Sequence, residues 1–597
     1  MKLQMPGALR DMAIVLMVAF CGCGTTVPED ELPPPGIQTT HLETYRPQFH
    51  YTPESGWMND PNGLVRVGDT WNLYHQYIPG EFVIDQMNWG HATSTDLVRW
   101  EYRPIALRTN AELGMAYSGS AMVDDANITG LCGDDPARCV LAFFTHSLML
   151  GGDQKQSLAV SVDGGMTFAE YEGNPLMPNP GKTHFRDPKV FWYDESENDT
   201  ATATSTPSPA RPVPPYEGPL PQKWVMALAQ GKQIGLYTSG DLLEWQPLST
   251  FENAETWTGG VWECPDLLKM EVENEPGTYA WVMIVGVFDG APWTGSGVQY
   301  ITGDFDGYVF TPHHDLMEPR WLDHGWDFYA AQSFSNVPAG DGRHIVLAWM
   351  NNWRYALGIP AMPWQGAMTF PRQLSLTRLT DGSLAMRQEP VAEIENLRRG
   401  LVVGLDGAAL ERLSYMDSTP SDYLFRHLYS SETGIYEIEV TGPRDADWNI
   451  QVATAEKPAS PDADSAPLVD RAAGVASGHN ASVNIGVDDG RLFIDRGGAI
   501  CDGCPSSMGR YYSADLPSPV DLAAAGLPTD RTTLRILVDH SSVEVFADGG
   551  RTSMTALAFL PGSLWDISIE AWDATLQNDL VLDRVTIREL FSTWADR

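Results

Sequence analysis

The chain has 597 residues, 43% hydrophobic and 10% aromatic, a globular composition with length enough for at least two cores. Its 38 Lys+Arg against 78 Asp+Glu leave a formal charge of -40. That field repels polyanions, which argues against nucleic acid and anionic membrane surfaces as partners and leaves neutral substrates unpenalised.

In chain order, Lys2 and Arg10 precede a short apolar run, Ala13 to Phe20, too short to span a bilayer and suited to an export signal. Its end, Phe20-Cys21-Gly22-Cys23-Gly24, is similar to a bacterial lipoprotein signal, in which a small residue precedes the lipidated Cys. Residues 1–23 are read as a signal with a lipid anchor on Cys23, against ordinary signal cleavage or a different start codon. Residues 24–40, with the acidic, Pro-rich Val27 to Gly36, are read as a tether. Membrane contact is expected only through that anchor. An exported chain keeps disulfides, so Cys132 is expected to pair with Cys139 and Cys501 with Cys504, leaving Cys264 alone. A zinc site needs four ligands together, and one Cys-x-x-Cys without His at matching spacing does not supply them, so no metal is expected.

From about Tyr45 to Glu389, short apolar-aromatic runs alternate with Gly, Asp, Asn and Pro and show little helical periodicity, which predicts an all-β fold. A weak repeat recurs: Ser94-Thr95-Asp96 to Trp100, Ser161-Val162-Asp163 to Phe168, Ser239-Gly240-Asp241 to Trp245, and Thr302-Gly303-Asp304 to Tyr308. Recurring hairpin tips predict a β-propeller over residues 41–390, with the hairpins of an ordinary sandwich as the plainer alternative. Residues 194–221, polar and low in complexity, read as a disordered surface insertion. Residues 391–597 alternate as strands again, as in Leu534 to Asp539, and predict a β-sandwich that is structural or touches carbohydrate.

Three peptides carry chemistry. In Trp57-Met58-Asn59-Asp60-Pro61-Asn62-Gly63, Pro61 holds Asp60 out of the helical region beside an amide and an indole. His184-Phe185-Arg186-Asp187-Pro188 sets a second carboxylate beside a guanidinium that can keep it ionised. Trp262-Glu263-Cys264-Pro265-Asp266 sets a third between an indole and a thiol, an apolar setting that would raise the Glu263 pKa as a general acid requires. Each alone also has a plainer reading: an Asx-type turn in which Asp60 only satisfies backbone donors, and for the other two a turn with a surface pair. Together they fall in three different repeats, and one carboxylate nucleophile with one carboxyl proton donor is the apparatus of glycoside hydrolysis.

These three motifs, in this order and spacing, resemble glycoside hydrolase family 32, the invertase, inulinase and levanase family, over nearly the whole chain from about His41. The resemblance implies a five-bladed β-propeller followed by a β-sandwich. It implies Asp60 as nucleophile, Glu263 as general acid/base and Asp187 as transition-state stabiliser, with Trp57, Asn59, Gln76, Ser118, Arg186 and Trp353 around the sugar and no cofactor. The substrate class it implies is fructan, levan or inulin, with sucrose as a further candidate; an invertase or a fructosyltransferase is the alternative enzyme, and a non-catalytic fructan-binding surface protein the alternative from another class. Trp89, the Asp327-Phe328-Tyr329-Ala330 peptide and Trp353 are expected to wall a funnel that admits only a chain end, although Trp89 and Trp349 read equally well as core. Ile84 stands where many relatives have a Trp at that wall. Linkage preference and oligomeric state stay open.

Overall fold

A computed structural model describes residues 39–594 apart from 81–85, 150, 195–221, 253–259, 408, 410–422, 456–480, 501–503 and 573–581. The expected signal and lipid anchor at Cys23, Ile84, all but Asp194 of the expected insertion at 194–221, and Cys501 therefore lie outside the described residues. The protein is all-β, its strands falling into seven sheets.

Five sheets of four or five strands come from Gly56–Pro390. Their first strands are Gly56–Val67, Met115–Val123, Phe185–Asp194, Trp262–Glu271 and Tyr329–Ser333. Each of these strands contacts the first strand of the next sheet, and the fifth contacts the first. The repeat seen in the sequence is the turn between the third and fourth strands of the first four sheets. Its Asp is the reason the turn recurs: Asp96, Asp163, Asp241 and Asp306 each accept two backbone N–H groups through one oxygen, such as Val98 and Arg99 at Asp96. In the fourth sheet the capping residue is Asp306, two positions after the Asp304 of the repeat.

Two six-stranded sheets follow, each mixing strands from early and late in this part of the chain. Apolar residues alternate along them, as in Tyr436, Ile438, Val440 and in Leu534, Ile536, Val538, and the buried sets merge with Ile450, Val452, Val483 and Ile485 into one core. Burying each such side chain stabilises the fold by about 1.5–3 kcal/mol.

The described residues form one compact unit. Buried charges join the small sheets to the large ones. His50 bonds Asp539 at 2.8 Å and Glu544 at 2.7 Å, and Arg372 bonds Glu544 and, at 2.8 Å, Asp323. The segment ahead of the fifth sheet runs along Thr552–Leu557, with His324 N donating to the Ser553 carbonyl and Asp327 N to the Thr555 carbonyl. Only glycine fits at Gly325, where a Cβ would lie 2.0 Å from the Thr555 oxygen. Early and late stretches also meet: Trp594 Nε1 donates to the Pro47 carbonyl at 2.8 Å, and Asp539 accepts from the backbone of Gln48, Phe49 and His50.

Candidate active site

The first strands of the five sheets all break register near their starts. Asn59 and Asp60 stand opposite Gln76 alone, Asp187 and Pro188 opposite Leu228, Cys264 and Pro265 opposite Val285, and Ala330 and Ala331 opposite Ala348; Ser118 is the extra residue in the second sheet. A bulge re-aims side chains and leaves a ladder bond unmade, which suits the missing N–H of Pro61, Pro188 and Pro265. Asp187, Cys264 and Ala330 share a left-handed backbone at φ 64, 48 and 51. Equivalent positions of several sheets thus turn their side chains toward a shared space.

Asp60 accepts from Asn59 Nδ2 at 3.1 Å and from Ser118 Oγ at 2.8 Å. Trp57, two residues earlier on the same strand face, donates through Nε1 to Asn59 Oδ1 at 2.8 Å and so fixes that amide. Cys264 joins the carboxylates. Its Sγ lies 3.6 Å from Asp60 Oδ2 and 3.7 Å from Asp187 Oδ2, and its backbone N donates to Asp187 Oδ2 at 3.0 Å. Arg186 donates to Glu263 Oε1 through Nε at 3.2 Å and through Nη2, and the Tyr329 hydroxyl donates to Glu263 Oε2. Trp353 closes one side, its ring 6.0 Å from Trp57 and 4.8 Å from Trp349.

Residues 50–209 and 214–390 match the glycosyl hydrolases family 32 N-terminal domain, and residues 437–586 match the family's C-terminal domain. The chain belongs to glycosyl hydrolase family 32. A levanase of Bacillus subtilis (strain 168) is 36% identical over 86% of this chain, which spans 66% of that protein's length. An extracellular exo-inulinase of Aspergillus niger is 31% identical over 92% of this chain and 96% of its own. The crystal structure of exo-inulinase from Aspergillus awamori superposes with a TM-score of 0.73 at 27% identity, covering 93% of this chain and all of that one. The protein is a glycoside hydrolase.

Within this family 32 chain, the electrostatics depart from the sequence reading in two places. Arg186 turns mainly to Glu263, which lies in the neighbouring sheet, and its Nε is 3.9 Å from Asp187. Burial pushes the Asp187 carboxyl up to about 7, with Glu263 and Asp60 acting the same way against Arg186. Glu263 is not in an apolar setting, because successive strand residues point to opposite faces: Trp262 packs into the core against Phe251 while Glu263 meets the guanidinium and the phenol. Burial and the Glu263 charge raise the Asp60 pKa, and its bonds from Ser118, Asn59 and Cys264 oppose them. Burial and the three neighbouring acids push the Cys264 thiol far up, so it stays protonated.

Gln76 is buried across the bulge from Asp60, its amide donating to the Ala116 carbonyl at 3.1 Å. Two expected wall residues do not face the site. Trp89 is fully buried with Nε1 on the Tyr117 carbonyl, and Asp327 is fully buried against Arg496. Tyr329, expected only as wall, bonds Glu263. The sequence reading also passed over Lys189 and Asp266, a buried ion pair at 3.0 Å that ties the third and fourth sheets to Ser333 of the fifth. Cys132 and Cys139 form the expected disulfide, so the cluster they make with Asp124 offers no thiolate to a metal.

Proposed function

We propose that this enzyme is a retaining exo-β-fructosidase that removes terminal fructose from levan or inulin, with sucrose as a further substrate. The observation that carries the reading is the meeting of three carboxylates from three sheets around Cys264 and Arg186. Asp60 attacks the anomeric carbon of the fructosyl unit while Glu263 protonates the leaving oxygen; water then opens the covalent intermediate with Glu263 as base. Asp187 stabilises the transition state through fructose hydroxyls, and Trp57, Asn59, Gln76, Ser118, Arg186 and Trp353 shape the pocket. The five small sheets act as blades of a five-bladed propeller over 41–390, a reading supported by the ring of contacts among their first strands. The residues from 391 form the β-sandwich.

Exo-action is favoured by what lies beyond the carboxylates. The Lys189–Asp266–Ser333 bonds and those of Ser335 to the Leu64 and Ala121 carbonyls join the first strands on that side, which supports a pocket entered from one end. Chromatography of early digests of levan, inulin and sucrose tests this. Free fructose as the sole early product from a polymer is expected, and a ladder of oligosaccharides would overturn exo-action. We also propose export with a lipid on Cys23, which Cys23→Ala should release from membranes without loss of activity.

A further inference from the structure

The wall that presents Tyr329 is held from outside the five small sheets. Arg496 follows the strand Arg491–Asp495 of the second large sheet and is fully buried. Its Nη1 donates to Asp327 Oδ2 at 2.7 Å and to the Leu557 carbonyl at 2.9 Å, its Nη2 to the Tyr355 hydroxyl at 3.0 Å, and its Nε to the Gly509 carbonyl at 2.7 Å. The guanidinium carbon lies 4.2 Å from the Trp326 ring centre. The Tyr355 hydroxyl in turn donates to Asp327 Oδ1 at 2.6 Å, and Asn352 Nδ2 donates to the Trp326 carbonyl at 2.9 Å. One cation therefore locks two segments together. Asp327 stands two residues before Tyr329, the donor to Glu263, and Tyr355 stands two residues after Trp353, which packs on Trp57.

We propose that Arg496 is a positioning residue for the reaction, setting Tyr329 against Glu263 and Trp353 against Trp57 through Asp327 and Tyr355. A buried charge is expensive to desolvate, and its geometry is the return: a planar fork with each hydrogen-bonding edge engaged admits one arrangement of its partners. A lysine offers a point charge on a flexible stem and cannot satisfy the carboxylate, two carbonyls and the phenol together. Glu263 carries the proton in the fructosidase reading, on which the kinetic part of this inference rests. A shift of Tyr329 changes that proton's energy without touching the carboxylate.

The test is a double-mutant cycle with the full chain. Arg496→Met should lower kcat about 100-fold per folded molecule and move the pH limb governed by Glu263, while Arg496→Lys does not restore either. In a Tyr329→Phe background the same substitution should cost clearly less than in the unaltered chain, because the route to Glu263 is already cut and only the one through Trp353 remains. Equal losses in both backgrounds, or a loss that only follows the folded fraction, would overturn the inference. If Arg496→Met does not fold, Tyr355→Phe removes one bridging hydroxyl and keeps the ring. It should lower kcat about tenfold, again less in the Tyr329→Phe background, and an unchanged kcat refutes the proposal. A crystal structure of the variant gives an independent reading. Tyr329 kept on Glu263 overturns the positioning role whatever the substrate, whereas inactivity of the unaltered chain on fructans and sucrose overturns the fructosidase reading alone.

Discussion

Asn59, Ser118 and Cys264 each favour the charged form of Asp60, against burial and the Glu263 charge. Removing one of them has a defined sign. Ser118→Ala deletes a 2.8 Å bond to the carboxylate, so the Asp60 pKa rises and the acid limb of kcat/KM moves to higher pH. A limb that stays in place would show that Ser118 does not act on Asp60. Asp60→Asn and Glu263→Gln should each lower kcat about 1000-fold or more with unchanged circular dichroism, and near-normal turnover in either would sink the assigned roles. The three carboxylates were legible in the sequence because each sits in a motif with its own Pro. Tyr329 and the partner of Arg186 were not, because a Tyr at a strand start carries no periodic signal and Arg186 meets Glu263 across 77 residues.

Asx turns are local, and so the hairpin tips could be read from the chain. The contacts between sheets could not. His50, Asp539, Glu544 and Arg372 come from distant stretches, and no spacing links them. Their titration sets a stability window. Burial works against the His50 charge, but Asp539 and Glu544 override it and lift its pKa from 6.5 to about 9; that contribution is full below 6.5 and is lost as pH rises through 9. Burial also opposes the Glu544 charge, yet Arg372 and His50 bring its pKa from 4.5 down to about 2; its contribution is full above 4.5 and is lost as pH falls through 2. Both are present between 4.5 and 6.5. His50→Gln should flatten the alkaline fall of Tm, and Glu544→Gln should cost about 3–5 kcal/mol by taking from buried Arg372 and His50 one of the two carboxylates that each bonds. A Tm that tracks the unaltered protein across pH 5 to 10 in His50→Gln would refute the cluster's role.

At the scale of the whole molecule, the sheets before and after residue 391 share charges and backbone bonds, so they should unfold together. Calorimetry of the full chain is expected to give one transition, and a chain ending at Glu389, stripped of the strand on which His324 and Asp327 rest, should yield no active protein. Two resolved transitions, or an active truncated chain, would show the parts to be independent. The meeting of Phe49 with Asp539 has a consequence in time. Phe49 waits for a carboxylate 490 residues further along. At about 5–20 residues per second that partner is about 25–100 s away when Phe49 leaves the ribosome. The stretch Gln48 to His50 is therefore without Asp539 for most of the time the chain is being made, and its bonds to that carboxylate are among the last to form.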